Sequence, residues 1–178
     1  MLSSELLEKL RADEVYRRSL ADADIVTVFI GFNDFAFGSA VYYYGRCGGT
    51  DNQDCMNTIV SNLGANLRNI VAQIRSIRSG RRTAILLSDL YDPYVGVQPI
   101  LVPFMNQMNS SIHSIADSEG LAVANVARMF NGPDGFGDPN QKGYIRDGVH
   151  PSAAGQAVIA DQFRDLEPVL TDALIGEH

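Results

Sequence analysis

Three short apolar runs separated by helix-length amphipathic stretches restrict this chain to an α/β fold. Residues 24–30, Asp-Ile-Val-Thr-Val-Phe-Ile, are β-branched and nearly all apolar. Such a run suits a strand covered on both faces of a parallel sheet, since a strand with one wet face alternates apolar and polar residues. Residues 83–87 repeat the pattern, and 121–126 supply a third run after the turn at Gly120. Between the runs, apolar residues return at helical spacing from Met56 to Ser79 (Ile59, Leu63, Leu67, Ile70, Ile74) until Gly80 stops them. A second helical pattern runs from Val97 or Pro99 to Ser118. Two short helical stretches, 3–10 and 14–20, lead into the first strand, with Ser3 or Ser4 available as a cap. A last helix, roughly 152–166, offers Ala154, Ala157, Val158, Phe163 and Leu166 as a buried face. The alternation predicts one domain over residues 1–178, an α/β sandwich with parallel strands and right-handed crossovers. A functional site then belongs beyond the carboxyl ends of the strands, the edge that receives Asn33, Asp34, Ser88, Asp89, Asp92, Asp147 and His150.

Charge narrows the partners. Lys plus Arg number 14 against 21 Asp plus Glu, a net charge of −7, and no basic stripe is interleaved with aromatics. Nucleic acid is therefore not an expected partner. The densest basic run, Arg75, Arg78, Arg81 and Arg82, ends a helical pattern, where cations complement the helix dipole. No apolar run reaches membrane-spanning length, and the first residues have neither the basic start nor the apolar core of a signal peptide. Cys47 and Cys55 lie close together without the repeated pairs or histidines of a zinc site, so a loop-closing disulfide is the better reading and free thiols the alternative.

Chemistry concentrates at Asp147-Gly-Val-His150-Pro151. A carboxylate three residues before an imidazole, in a turn that Gly148 lets bend, can accept the proton on one ring nitrogen. The other nitrogen of His150 is left to take a proton from a nucleophile or a bound water. Pro151 suits the first position of the helix that follows. The residues from Phe35 to Asp54 have no trustworthy period and read as a long excursion. Its aromatics, Phe35, Phe37 and Tyr42 to Tyr44, either line a pocket or pack beneath the loop. His113, a lone helical histidine, receives no role.

Gly31-Phe32-Asn33-Asp34 directly after a strand, with Asp147-Gly-Val-His150-Pro151 near the carboxyl end, closely resembles two signature blocks of the SGNH hydrolases, also called GDSL esterases and lipases. Tyr91-Asp92-Pro93-Tyr94 and the cysteine-bearing loop are similar to features of secreted bacterial members. The resemblance implies a flavodoxin-like three-layer α/β/α sandwich of strand order 2-1-3-4-5 and hydrolysis of a small-molecule ester or acylated substrate without a cofactor. In that reading His150 is the general base, Asp147 orients it, and Asn33 donates to the oxyanion while Gly31 allows close approach. Asp34 is read as bonding loop amides. The family's Gly-Asp-Ser nucleophile block and second glycine block are not in this sequence, and Leu2-Ser3-Ser4-Glu5-Leu6-Leu7 looks like the stretch just beyond the latter. The resemblance therefore implies that the first two strands and the nucleophile are missing, that the parent is secreted, and that strand 24–30 becomes an edge through which the chain self-associates. Ser3 and Ser4 open a helix without a preceding strand, and Ser88 lacks a nucleophile-elbow frame. Two other functions compete. One is a metal-dependent phosphoesterase using Asp34, Asp89, Asp92, Asp147 and His150; the other is a non-catalytic binding domain of the same fold.

Overall fold

The computed structural model describes residues 1–170. The elements in chain order are α1 (Ser3–Ala12), α2 (Glu14–Ala21), β1 (Ile25–Val28), α3 (Phe32–Tyr43), α4 (Asp54–Ile77), β2 (Ala84–Ser88), a 3-10 turn (Pro99–Leu101), α5 (Val102–Glu119), β3 (Ala122–Ala124), α6 (Val126–Asn131) and α7 (Ala153–Arg164). The three strands form one parallel sheet in the order β1-β2-β3. Every residue of β2 is buried, so its continuous apolar run is the signature of a central strand with both faces covered.

Side chains of a strand alternate between faces, and the two faces carry different cores. Val26, Val28, Ile85, Leu87 and Val123 join the large cluster built from α1, α4 and α5. Ala124 joins a smaller cluster on the other face, with Tyr91, Val126 and Phe130 packed against Val158, Ile159 and Phe163 of α7. That layer covers β3 and leaves β1 bare: Ile25 is 45% exposed and Phe29 39%. The expectation that strand 24–30 is covered on both faces is thus corrected. It is an edge strand, shorter than expected at both ends, beside a groove of about 640 Å³ lined by Leu6, Leu10, Leu20, Ile25, Thr27 and Ile74.

The predicted excursion is also corrected in part, because Phe32–Tyr43 is helical. This helix (Phe-Asn-Asp-Phe-Ala-Phe-Gly-Ser-Ala-Val-Tyr-Tyr) lacks a polar stripe, and without a contrast of faces there was no period to read. Phe35 is in the core and Tyr42 packs edge-on against Phe104, whereas Phe37, Tyr43 and Tyr44 are exposed. Cys47 and Cys55 form a disulfide that closes the loop behind α3. A loop this short contributes roughly 2–3 kcal/mol in the chain-entropy model. The short α6 had no counterpart in the sequence reading.

Ser3 does not cap α1. It is the first helical residue and gives both its backbone N–H (2.9 Å) and its hydroxyl (2.8 Å) to the Asp34 carboxylate, tying α1 to α3. Arg78 is no solvated helix end either. It is 4% exposed and its guanidinium donates to Ala21 O, Arg82 O and Thr83 Oγ1, joining the α2–β1 and α4–β2 loops.

The buried face of α7 differs from expectation: Ala154 and Ala157 are exposed, and Gly155 is the buried residue. Ser152 caps the helix by accepting the Gly155 N–H, while Pro151 stays outside in a bridge to Ile145. A β-carbon on Gly155 would sit 2.2 Å from the Tyr144 carbonyl oxygen and 3.2 Å from the Phe130 ring. Gly155→Ala gains about 1 kcal/mol of helix propensity, but a backbone clash of that depth costs more, about 1–3 kcal/mol beyond the gain. Urea unfolding of the variant should show a lowered midpoint; an unchanged or raised midpoint means that α7 can move away from Tyr144.

Candidate active site

Gly31, Leu90 and Asn125 follow the carboxyl ends of β1, β2 and β3, so the loops that carry polar residues all leave the sheet on one edge. Gly31 is the N-cap of α3 at φ 122°, a conformation that L side chains rarely adopt, and a β-carbon there would press on Leu63 and Leu90 at 3.0–3.1 Å. The turn so made exposes Asn33 in the first turn of α3. Its amide nitrogen donates to the Met1 carbonyl at 3.1 Å, next to the groove along β1.

Asp147 and His150 meet as their spacing predicts. His150 Nδ1 lies 3.1 and 3.0 Å from the two carboxylate oxygens of Asp147. Asp147 Oδ1 also accepts the backbone N–H of His150 (2.8 Å) and of Val149 (3.2 Å) across the turn at Gly148, whose φ is 84°. Arg146 donates to Oδ2 at 3.2 Å. The His150 amide, then the His150 ring, hold the Asp147 carboxyl well below the usual carboxylate range, so it is ionised at neutral pH. His150 Nε2 has no hydrogen bond among the described residues, and 68% of the side chain is exposed.

Tyr91 fixes this turn in place, a part that its position in a tyrosine- and proline-rich loop did not reveal. Its hydroxyl donates to the Val149 carbonyl at 3.0 Å, one residue before His150. Its ring stacks on Phe130 (centroids 4.6 Å apart) and lies parallel to Phe32 (6.1 Å), the neighbour of Asn33. Burial, then the negative charge of Asp147 and the nearby Tyr94, push the Tyr91 phenol up to about 12, so it stays a donor. Phe29, Ile30, Phe32, Leu90, Tyr91 and Pro151 line a small apolar cleft of about 220 Å³ between the histidine turn and the start of α3.

The remaining edge residues are separated rather than gathered. Asp34 accepts from the backbone N–H and hydroxyl of Ser3, 31 residues away, rather than from neighbouring loop amides, and Asp89 bonds His113 and the Ala127 amide. Asp92 accepts from the Tyr94 amide. Among the described residues no three His, Cys, Asp or Glu side chains come together to hold a metal ion, so the residues gathered for a phosphoesterase do not assemble into its site. Ser88 is 2% exposed and its hydroxyl donates to the Asp89 carbonyl; Ser3 is fully buried. Neither contacts His150.

Asp92 is 1% exposed, and its Oδ2 has no hydrogen-bond partner. Burial pushes its carboxyl up to about 6 despite the Tyr94 amide, which acts the other way. In the unfolded chain the group titrates near 3.9. The folded state therefore holds the extra proton between pH about 4 and about 6, and stability from this group declines as pH rises through that window, by on the order of 3 kcal/mol. Asp92→Asn should remove that decline, so urea-derived stabilities of wild type and variant should diverge with pH between these limits. Parallel profiles would place the carboxylate in contact with water.

Compared with known proteins, a family model described as GDSL-like Lipase/Acylhydrolase family matches residues 3–158. The fold is similar to that in the crystal structure of the lipase Lip_vut3 from a goat rumen metagenome, with a TM-score of 0.72 at 18% identity, covering 99% of this chain and 76% of that one. No curated protein matches.

Proposed function

Because this chain belongs to the GDSL-like lipase/acylhydrolase family, we propose that it carries the acid, base and oxyanion-binding parts of a carboxylic ester hydrolase. The observation that carries the reading is the His150–Asp147 contact through Nδ1, which leaves Nε2 open at the surface. A neutral imidazole fixed in that tautomer takes the proton of an attacking hydroxyl and returns it to the leaving alcohol, while the ionised Asp147 stabilises the imidazolium between the two steps. Asn33 donates its carboxamide to the developing oxyanion. A neutral donor of this kind is worth roughly 3–4 kcal/mol of barrier, because it binds the charge that grows in the transition state. In the resting chain the Met1 carbonyl accepts this N–H, and substrate takes its place. Gly31 sets the turn that presents Asn33. The buried Ser3 and Ser88 are bonded elsewhere, so neither serves as the nucleophile in this reading. The substrate is a small-molecule ester or acylated compound, and the disulfide supports an extracellular site of action.

With a Gly-Asp-Ser segment of the family type supplied upstream, the protein should cleave short p-nitrophenyl esters in the presence of a chelator. His150→Ala should reduce kcat by several orders of magnitude, on the order of 10³–10⁴. Asn33→Ala should lower kcat by about 10²–10³ with little change in KM. Full activity in the histidine variant, or activity lost to chelator and restored by a divalent ion, would sink the assignment, the second outcome pointing to a metal-dependent reaction.

The bare edge of β1 supports self-association of the 178-residue chain, since residues 25–30 contain no proline or lysine to discourage pairing. Sedimentation should find dimers or larger species and the chain alone should be inactive on esters. A stable, active monomer rejects both statements and makes Ser88 the first serine to mutate.

A further inference from the structure

A second aspartate–histidine pair lies in a polar cavity that the proposed hydrolytic site does not use. Asp89, at the carboxyl end of β2, is 4% exposed. Its Oδ1 accepts the Ala127 N–H at 2.8 Å, and its Oδ2 lies 3.1 Å from Nε2 of His113 on α5. The pair borders a cavity of about 520 Å³ between α5, α6 and the 132–135 loop.

What such a cavity can hold follows from which of its polar groups are still unengaged. The floor is closed to ligands: Asn109 bonds both the N–H and the C=O of Leu90, and Asn131 bonds the N–H and the C=O of Asp92. Ser110 donates to the Asn106 carbonyl one turn back. Asp89, the carboxylate in the wall, has both oxygens engaged and is not available to a cation. Besides the Asn106 Oδ1, an acceptor, the lining groups without a hydrogen-bond partner among the described residues are the His113 Nδ1, the Arg128 guanidinium and the Asn125 carboxamide. Two of these are cations when His113 is protonated, and the third can donate.

We propose that this cavity is a binding site for a small oxyanion, a carboxylate or a phosphate, held between the His113 imidazolium and the Arg128 guanidinium with Asn125 as a neutral donor. The planar fork of Arg128 matches two oxygens of either anion, and His113 supplies one more charge-assisted bond. Asp89 fixes the ring through Nε2, so Nδ1 is a donor only in the protonated ring. Neutral His113 would offer the anion a lone pair instead. The Asp89 hydrogen bond, aided by the charges of Asp89 and Asp117 and opposed by burial, raises the His113 pKa above its ordinary value. The charged groups acting on the ring are Asp89 from the end of β2 and Asp117 from α5 itself, and Arg128 of α6 lines the same cavity. Binding is therefore strongest below the His113 pKa and fades as pH rises through it. None of this depends on ester hydrolysis, since no residue of the cavity belongs to the Asp147–His150 turn.

The test uses the intact chain labelled with 15N, titrated at constant ionic strength with sodium acetate and separately with inorganic phosphate, at pH about 6 and at pH about 9. The His113 ring and Arg128 Nε–H signals should shift saturably at the lower pH, with Kd in the millimolar range, and barely at the higher. Arg128→Met, an exposed change, should weaken binding about tenfold, and His113→Gln should do the same while still donating to Asp89. Saturation by acetate alone identifies a carboxylate site, by phosphate alone a phosphate site, and by both the shared oxyanion chemistry. Linear shifts with both salts, equal shifts at the His150 ring, or unchanged affinity in Arg128→Met would overturn the proposal and leave Asp89–His113 as a staple between α5 and the end of β2.

Discussion

Burial of β2 on both faces is the constraint on which the rest depends. A strand with no wet side needs parallel neighbours and cover on each face; α4 and α5 pack on one face of β2, and on the other side of the sheet α6 and α7 gather on β3 beside it. Parallel pairing sends all three strand ends to one edge, so the same requirement that builds the core also collects the polar loops. Tyr91, three residues past β2, couples the two roles. Its ring belongs to the smaller core and its hydroxyl holds the histidine turn, so one side chain takes part both in the packing of α6 and α7 and in the placement of His150.

Irregular backbone at that edge must still satisfy its hydrogen bonds, and buried carboxamides do this work. Asn109 pairs with both backbone groups of Leu90, and Asn131 pairs with both of Asp92 and with the Gly137 carbonyl. Each side chain substitutes for the strand partner that the loop lacks. Asp92 Oδ2 is the exception. An unpaired buried carboxylate oxygen costs enough that the group keeps its proton to a higher pH, which is how the loop carries a pH-dependent stability without any second charge beside it.

Legibility in the sequence tracked contrast. β2 and α4 were readable because the first is unbroken apolar and the second alternates faces over many turns. The Asp147–His150 pair was readable because three residues in a glycine turn leave few places for the side chains to go. α3 was not readable because Phe, Ala and Tyr on all sides give no period, and α6 because six residues are too few to display one. Gly155 was passed over since its importance lies in the distance to Tyr144, a contact between elements that local pattern cannot encode. The Ser3–Asp34 pair and the Asp89–His113 pair fail for the same reason, as partners 31 and 24 residues apart. The bare face of β1 also escaped composition, because Ile25 and Phe29 look like core residues and are exposed by what lies, or does not lie, beside them among the described residues.

The two aspartate–histidine pairs show why residue identity alone does not define a base. In both, a carboxylate anchors an imidazole, but opposite nitrogens are engaged. Asp147 holds Nδ1, the nitrogen next to the side-chain stem, and so leaves Nε2 at the far end of the ring, where it can reach a hydroxyl delivered by another element. Asp89 holds Nε2 and leaves Nδ1, the nitrogen next to the stem, on a side chain that lines the adjoining cavity. The first arrangement suits proton transfer with a nucleophile brought in from elsewhere. The second suits a fixed positive charge, since Asp89 is buried and His113 is drawn toward the protonated form. The carboxylate comes from a glycine turn in one case and from the end of β2 in the other, so the chemistry available to each histidine is set by the fold rather than by its own side chain.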